Sequence, residues 1–400
     1  MIRTPNIVQE FFVYRLDHLD SFFSKITFLS LKFNYFCCKI EVDQIMEVEQ
    51  HNLNIQITQN SRLSQIDWDN LPFGKIFSDH MYCMEYVSGV WTKQEITPYE
   101  NISLSPATSA IHYGQSCFEG MKAHRNENGE VVLFRPYDNA KRFNQSAIRM
   151  CMPTVPEEVF INALKELLKV DHYWVPKNPS HSLYIRPFMF ATDPYVGIRP
   201  SESYRFMVFT CPVGSYYTEP VPVKIETTYT RAASGGTGYA KAAGNYAAAL
   251  YPAKQAQDEG YKQLIWTDAK EHRYIEEAGT MNVMFVMDGK LITPLASDTI
   301  LDGITRRSVV EIAQDWGMEV ESRKIEVSEV INALKNNRLT EAFGAGTAAT
   351  IAPISSIAFE DYNYIIPTSN PNHFHVKVLN YLTDYKLGRV EDKFNWLVHI

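Results

Sequence analysis

From Asn54 onward, stretches in which apolar and polar residues alternate give way to stretches in which apolar residues recur every three or four positions, and this exchange lays out the elements. MYCMEYVSGVW (81–91) reads as a strand. FEGMKAHRNENGEVVLFRP (118–136) reads as a hairpin turning at Asn128-Gly129, a pair that tolerates the positive φ of a tight turn. A helix is expected from about Tyr137 to Met150, with Phe143, Ala147 and Met150 on one face. Another should run from Pro156 to about Val170, with Val159, Ile161, Leu164, Leu167 and Leu168 as its buried stripe. Strands follow at 182–190 and 204–213, and then GSYYTEPVPV (214–223) breaks the pattern with Gly214, Pro220 and Pro222. Beyond it, alternation at Val221, Val223, Ile225, Thr227 and Tyr229 marks a strand, and Asn245–Glu259 a helix closed by Gly260. A strand at 262–267, a hairpin turning at Asp288-Gly289 and a helix from Gly303 or Ile304 to Gly317 complete the series. Mixed elements in both halves predict an α/β fold of the α+β type. Its domains are expected at 54–213 and 224–400, joined by a linker at 214–223, with a site at the junction.

Residues 1–53 form an N-terminal extension with a different texture, rich in aromatics and without a clean period. Arg15, Asp17, Asp20, Lys25 and Lys32 interrupt it, so no run reaches the roughly 18 apolar residues of a membrane span. The acids Glu10, Asp17 and Asp20 are unlike a secretory or organellar leader. A chain beginning at Met46 is expected to fold and act without what precedes it.

The 400 residues are 45% hydrophobic and 13% aromatic, enough for a sizeable core. A net charge of −8, with Lys and Arg scattered, argues against a nucleic-acid partner and leaves small molecules and a second copy of the chain. Six cysteines at irregular spacing suit neither a disulfide framework nor a zinc site. They read as reduced thiols of a cytoplasmic protein. The histidines show no HExxH or comparable spacing, so no metal is expected.

Chemistry concentrates at GTGYAKAAGNYAAAL (236–250), where Lys241 stands among small and aromatic residues with no charged neighbour between Arg231 and Lys254. An amine in such surroundings can lose solvent, and desolvation disfavours its charged form, which is how Schiff-base lysines become nucleophilic near neutral pH. Further on, EEAGTMNVMF places Glu276 and Glu277 before a small-residue turn. A lysine for an aldehyde, donors for a phosphate and a carboxylate for a ring nitrogen are what pyridoxal phosphate asks of a protein.

GYAKAAGNYA, EEAGTMN, LFRPYDNAKRFNQSA, YGQSCFEGMKA, LYIRP and FGAGTAA resemble, in order, the motifs of branched-chain amino acid aminotransferases, fold-type IV pyridoxal 5′-phosphate enzymes. The resemblance runs from about Asn54 to the C-terminus. It implies transfer of the amino group of leucine, isoleucine or valine to 2-oxoglutarate, giving glutamate and a branched-chain 2-oxo acid, in a homodimer. By the same resemblance Lys241 is the catalytic lysine, and Glu277, rather than Glu276, faces the ring nitrogen. Tyr246 supports the ring hydroxyl. Arg142, Ile304, Thr305 and Thr347 hold the phosphate, the last three from LDGITRRS and GAGTAA. A guanidinium forks onto two oxygens, and a helix start leaves amides free for an anion. Phe77, Tyr113, Phe118, Tyr184 and Tyr216 would line the substrate pocket, with Thr280 and Ala348 also binding substrate and Arg186 answering the second carboxylate of glutamate. Val196 and Ile198, in DPYVGIRP, would reach across a dimer interface. Animal relatives carry a CxxC pair after the GAGTAA turn; here those positions are Ala349 and Ala352.

Two other readings stay open: a D-amino acid aminotransferase or aminodeoxychorismate lyase of the same fold, and a pyridoxal phosphate binding protein that does not catalyse. LYIRP and YGQSCFEGMKA favour the branched-chain reading, since Lys241 and Glu277 serve all of them.

Overall fold

The computed structural model describes residues 53–400 except 215 and 218, so the expectations for residues 1–50 lie outside the described residues. The described residues form two nine-stranded sheets. The first runs in the order Asn54–Ile55, Val90–Pro98, His80–Val87, Tyr204–Val213, Ser182–Ala191, Met121–Arg125, Val131–Phe134 and Leu397–His399, with Ser116–Phe118 also on Ser182–Ala191. Helices Pro136–Arg149 and Glu157–Val170 cover it. Phe143, Ala147, Phe160, Leu164 and Leu167 pack there with Met84, Trp91 and Phe206.

In the second sheet, Ile275–Ala278, Gln263–Thr267, Val221–Ile225, Thr350–Phe359, Leu339–Gly346 and Met281–Met287 follow one another, and the first also pairs with the last. The ring closes and leaves these strands without a free edge. Its inside is filled by Val221, Val223, Ile265, Val283, Phe285, Ile354 and Ile357. Outside it, helices Ile304–Asp315 and Phe374–Lys386 pack Val309, Ile312, Val378 and Leu382 against Phe343 and Met284.

Three boundaries differ from the sequence reading. The single strand expected at 81–91 is two strands turning at Ser88 and Gly89, both at positive φ. The strand from Val221 stops at Ile225, because the carboxylate of Glu226 takes the amides of Thr228 and Tyr229 and turns the chain. The C-terminal strand Leu397–His399 returns to the first sheet against Val131–Phe134, so the last residues do not belong with the second half. Among the described residues no helix is long and apolar enough to cross a membrane.

Candidate active site

A cleft of about 200 Å³ opens where the sheets meet, and Lys241 lies in its wall. The lysine is fixed by its backbone. Its amide donates to Ser146 Oγ at 2.9 Å and its carbonyl accepts from the Phe118 amide at 3.1 Å. The loop before it is held by Asn245, whose amide group donates to the carbonyls of Thr237 and Ala240, each at 2.8 Å. Arg149 bonds the carbonyls of Gly235 and Gly236. The Lys241 side chain, half-buried and without a carboxylate partner among the described residues, donates from Nζ to the Tyr246 hydroxyl at 2.9 Å and lies 5.0 Å from the centre of the Phe118 ring.

At another wall stands Glu277. Successive strand residues face opposite sides, so Glu277 enters the cleft while Glu276 turns away to accept from Thr299 Oγ1 at 2.5 Å. Glu277 Oε1 accepts from the Leu301 amide at 2.8 Å, and Arg231 Nε lies 3.0 Å from Oε2 as an ion pair rather than an aligned hydrogen bond. Burial pushes the Glu277 carboxyl above its usual range, against the pull of Arg231. Burial likewise raises Glu276, to about 7.

A third wall is built for an anion. Helix Ile304–Asp315 starts at Gly303 with no side-chain cap, so the amides of Ile304 and Thr305 point into the cleft region with their helix dipole. Gly303 leaves room here for the Asn282 side chain, whose Oδ1 a Cβ would strike. Thr347 lines the same end from the turn between Leu339–Gly346 and Thr350–Phe359. Arg142 arrives from helix Pro136–Arg149 and is gripped by Glu119, Nε to Oε1 at 2.7 Å and Nη2 to Oε2 at 2.9 Å. Burial works against the Glu119 charge, but the Arg142 guanidinium overcomes it and holds the carboxyl below its usual range. Asn139 adds a bond to Glu119 Oε2 at 2.7 Å.

Aromatic side chains and one cation form the remaining side. Phe73 meets Tyr184 and Tyr216 edge-on, each at 5.0 Å. Arg186 donates to the Tyr184 hydroxyl at 2.8 Å and lies 4.6 Å above the Phe118 ring, and its Nε has no partner among the described residues. Gly120 leaves room for the Tyr184 hydroxyl, which a Cβ there would displace.

The cleft thus gathers Lys241, Arg142, Tyr246, Glu277, Ile304, Thr305, Thr347, Phe118, Tyr184, Arg186, Tyr216, Thr280 and Ala348. Four expected residues stay outside it. Phe77 stacks on Tyr99 at 4.8 Å and meets Phe209 edge-on, which commits its ring to the fold, and Phe73 takes the wall position instead. Tyr113 ends a short helix and borders a separate hollow with Ile198. Val196 and Ile198 project outward, 63% and 93% exposed. Glu119 escaped the sequence reading, although a lone acid between Phe118 and Gly120, at the bend between two short strands, is a candidate buried counter-ion. Glu341, His373 and His375 also cluster, but Glu341 already accepts the amides of Phe374 and His375 and the His375 ring, as a cap on helix Phe374–Lys386.

Residues 116–357 match the family described as Amino-transferase class IV. The Bacillus subtilis branched-chain-amino-acid transaminase 1 is 43% identical over 339 residues, covering 84% of this chain and 95% of that protein. The branched-chain aminotransferase of Thermoproteus uzoniensis with norvaline superposes with a TM-score of 0.67 at 25% identity, over 80% of this chain and 99% of that one. The branched-chain amino acid aminotransferase from Escherichia coli gives 0.66 at 25% identity, over 80% and 98%.

Proposed function

The chain belongs to the class IV aminotransferases, and from that premise we propose that it is a branched-chain-amino-acid aminotransferase holding pyridoxal 5′-phosphate in the cleft around Lys241. It moves the amino group of leucine, isoleucine or valine to 2-oxoglutarate, yielding glutamate and the branched-chain 2-oxo acid. The observation that carries the assignment of residues is the convergence on one cleft of a lysine with no acid partner among the described residues, a buried carboxylate and an uncapped helix start beside a buried arginine.

These residues fit the cofactor. Arg142, the amides of Ile304 and Thr305 and the Thr347 hydroxyl would hold its phosphate, Tyr246 its ring hydroxyl and Glu277 its protonated ring nitrogen. When bound, pyridoxal phosphate supplies the electron sink for the pair left at the substrate Cα. Lys241 Nζ, oriented by the Tyr246 hydroxyl, would take the Cα proton and pass it to the cofactor's C4′ carbon, and would carry a proton the opposite way in the half-reaction with 2-oxoglutarate. Thr280 and the turn at Thr347 and Ala348 receive the α-carboxylate. Phe73, Phe118, Tyr184 and Tyr216 take the aliphatic side chain and exclude water, and Arg186 answers the second carboxylate of glutamate.

A homodimer belongs to the same reading, supported by the outward apolar residues Val196 and Ile198; so does a cytoplasmic site of action, supported by the thiols Cys83, Cys117 and Cys211, free and buried. The deciding measurement is an absorbance spectrum of the purified protein before and after leucine and then 2-oxoglutarate. A yellow band that bleaches and returns is expected, and Lys241→Ala should bind cofactor yet abolish turnover. Wild-type leucine activity in that variant would overturn the assignment.

A further inference from the structure

Behind the turn at Thr347–Ala349 lies a second cavity, of about 310 Å³, bordered from both halves of the chain. Its wall carries Lys122, His124, His181 and Lys386 and, among the described residues, no carboxylate. Neither lysine pairs with an acid within the described residues. Lys122 Nζ donates to the Ala348 carbonyl at 2.7 Å, and Lys386 Nζ reaches Thr350 Oγ1 at 3.4 Å, at the limit of a hydrogen bond. Lys386 is only 8% exposed. His124 Nε2 and His181 Nδ1 are buried without a hydrogen-bond partner among the described residues. An ammonium has three donors, so most of the hydrogen-bonding capacity facing this space is unspent.

Such a cluster is costly to leave alone, since buried positive charge without a counter-ion loses its hydration and repels its neighbour. The lysines respond by giving up charge. Burial brings Lys122 down to about 8, and burial together with Lys122 brings Lys386 down to about 7. Burial and both lysines hold His124 well below its usual value. The aromatic hydroxyls of Tyr216 and Tyr217 complete the titratable groups facing the space.

We propose that this cavity is a second anion site, which takes a small dianion of carboxylate or phosphate type between Lys122 and Lys386 and transmits its occupancy to the active site through the Lys122 contact with Ala348. The site stands independently of the reading above; its effect on substrate rests on the role given there to Ala348. The competing account is that the lysines merely add positive potential behind the cofactor phosphate, because Lys122, His124 and Lys386 also border a small space shared with Thr305 and Thr347.

Titration calorimetry of the cofactor-loaded protein at pH 8, with inorganic phosphate and separately with succinate in two buffers of different ionisation enthalpy, separates these accounts. One site with net proton uptake is expected, because an anion returns protons to the lysines. Which of the two salts binds identifies the source of the dianion. Lys386→Met should weaken binding by about tenfold or more, Lys386→Arg should largely retain it, and both should keep the cofactor absorbance. Saturation with the anion should change the leucine concentration that half-bleaches the yellow band. Absence of binding by both salts, binding unaltered in Lys386→Met, or loss of cofactor in that variant would overturn the site, and an unchanged leucine requirement would overturn the link. The leucine half-reaction of the anion-free protein, run alongside, reports on the proposed function alone.

Discussion

Glu276 and Glu277 show how far one residue of register decides chemistry. Glu277 faces the cleft beside Arg231, whereas Glu276 is sealed behind it with only the Thr299 hydroxyl. Glu277→Gln should lower kcat more than it weakens cofactor binding, because a neutral amide cannot keep the ring nitrogen protonated. Rapid-scan kinetics with parallel cofactor titration checks this. Glu276→Gln should be mild in activity and visible in stability. The folded carboxyl titrates near 7 against 4.5 when unperturbed, so its contribution to stability is intact below about pH 4.5 and is lost as pH rises through 7. Glu276→Gln removes that loss. Denaturant unfolding should find the variant equal to wild type at pH 4 and more stable at pH 8 by on the order of 1–3 kcal/mol. Arg186 carries a different test. With its guanidinium over Phe118 and no carboxylate partner among the described residues, Arg186→Met should spare the half-reaction with leucine. The half-reaction with glutamate should slow by roughly ten- to a hundredfold, from about 1.5–3 kcal/mol of lost charge-assisted bonding. An equal loss in both, measured by stopped flow, would place Arg186 in the fold or at the α-carboxylate.

Elements were legible where the signal is local. The turns at Asp288-Gly289 and Asn128-Gly129 and the stop of helix Ala243–Asp258 at Gly260 follow from backbone conformations that few residues adopt, and the helix start at Gly303 from the lack of room for a Cβ beside Asn282. The turn at Ser88-Gly89 was hidden because apolar residues continue on both sides of it, so one strand was read where two pair. Ring closure was not legible either: Val221–Ile225 lies parallel to both Gln263–Thr267 and Thr350–Phe359, partners far apart in sequence. For the same reason the sequence motifs supplied Arg142 but not what positions it. Glu119 enters from the bend between Ser116–Phe118 and Met121–Arg125, while Arg142 enters from a helix, and only packing brings them together. Breaking a buried pair by neutralising one partner leaves the other charge exposed to a poor solvent, at about 3–5 kcal/mol. Glu119→Gln should therefore lower the melting temperature and free Arg142 to swing, so that cofactor dissociates faster. Loss of the yellow band on dilution, followed over time, measures the second effect; an unchanged off-rate would confine Glu119 to the fold.

The whole molecule raises a question that its own cleft does not answer. Among the aromatic and aliphatic walls expected for substrate, Tyr113, Val196 and Ile198 are absent from the cleft and lie 43%, 63% and 93% exposed. They are not scattered, since Tyr113 and Ile198 share a hollow with Met150 and Cys151. The loop bearing Val196 and Ile198 is tied at its base, where Asp193 accepts from the amides of Glu202 and Ser203 and donates its own amide to Ser201 Oγ. An apolar loop that is anchored yet uncovered suits a surface that another copy of the chain buries. In a twofold dimer each residue acts twice, so losing the burial of Ile198 costs about 3–6 kcal/mol at about 1.5–3 per side chain. That is roughly two to four decades in the dissociation constant. Ile198→Asp, which adds a charge to the same contact, should shift the protein to monomer in sedimentation at micromolar concentration and cut leucine turnover with it. Circular dichroism and the yellow band should persist, since Ile198 is 93% exposed and so contributes little to the fold. A fully active dimer of Ile198→Asp would mean that this loop faces solvent and that substrate is enclosed by one chain alone.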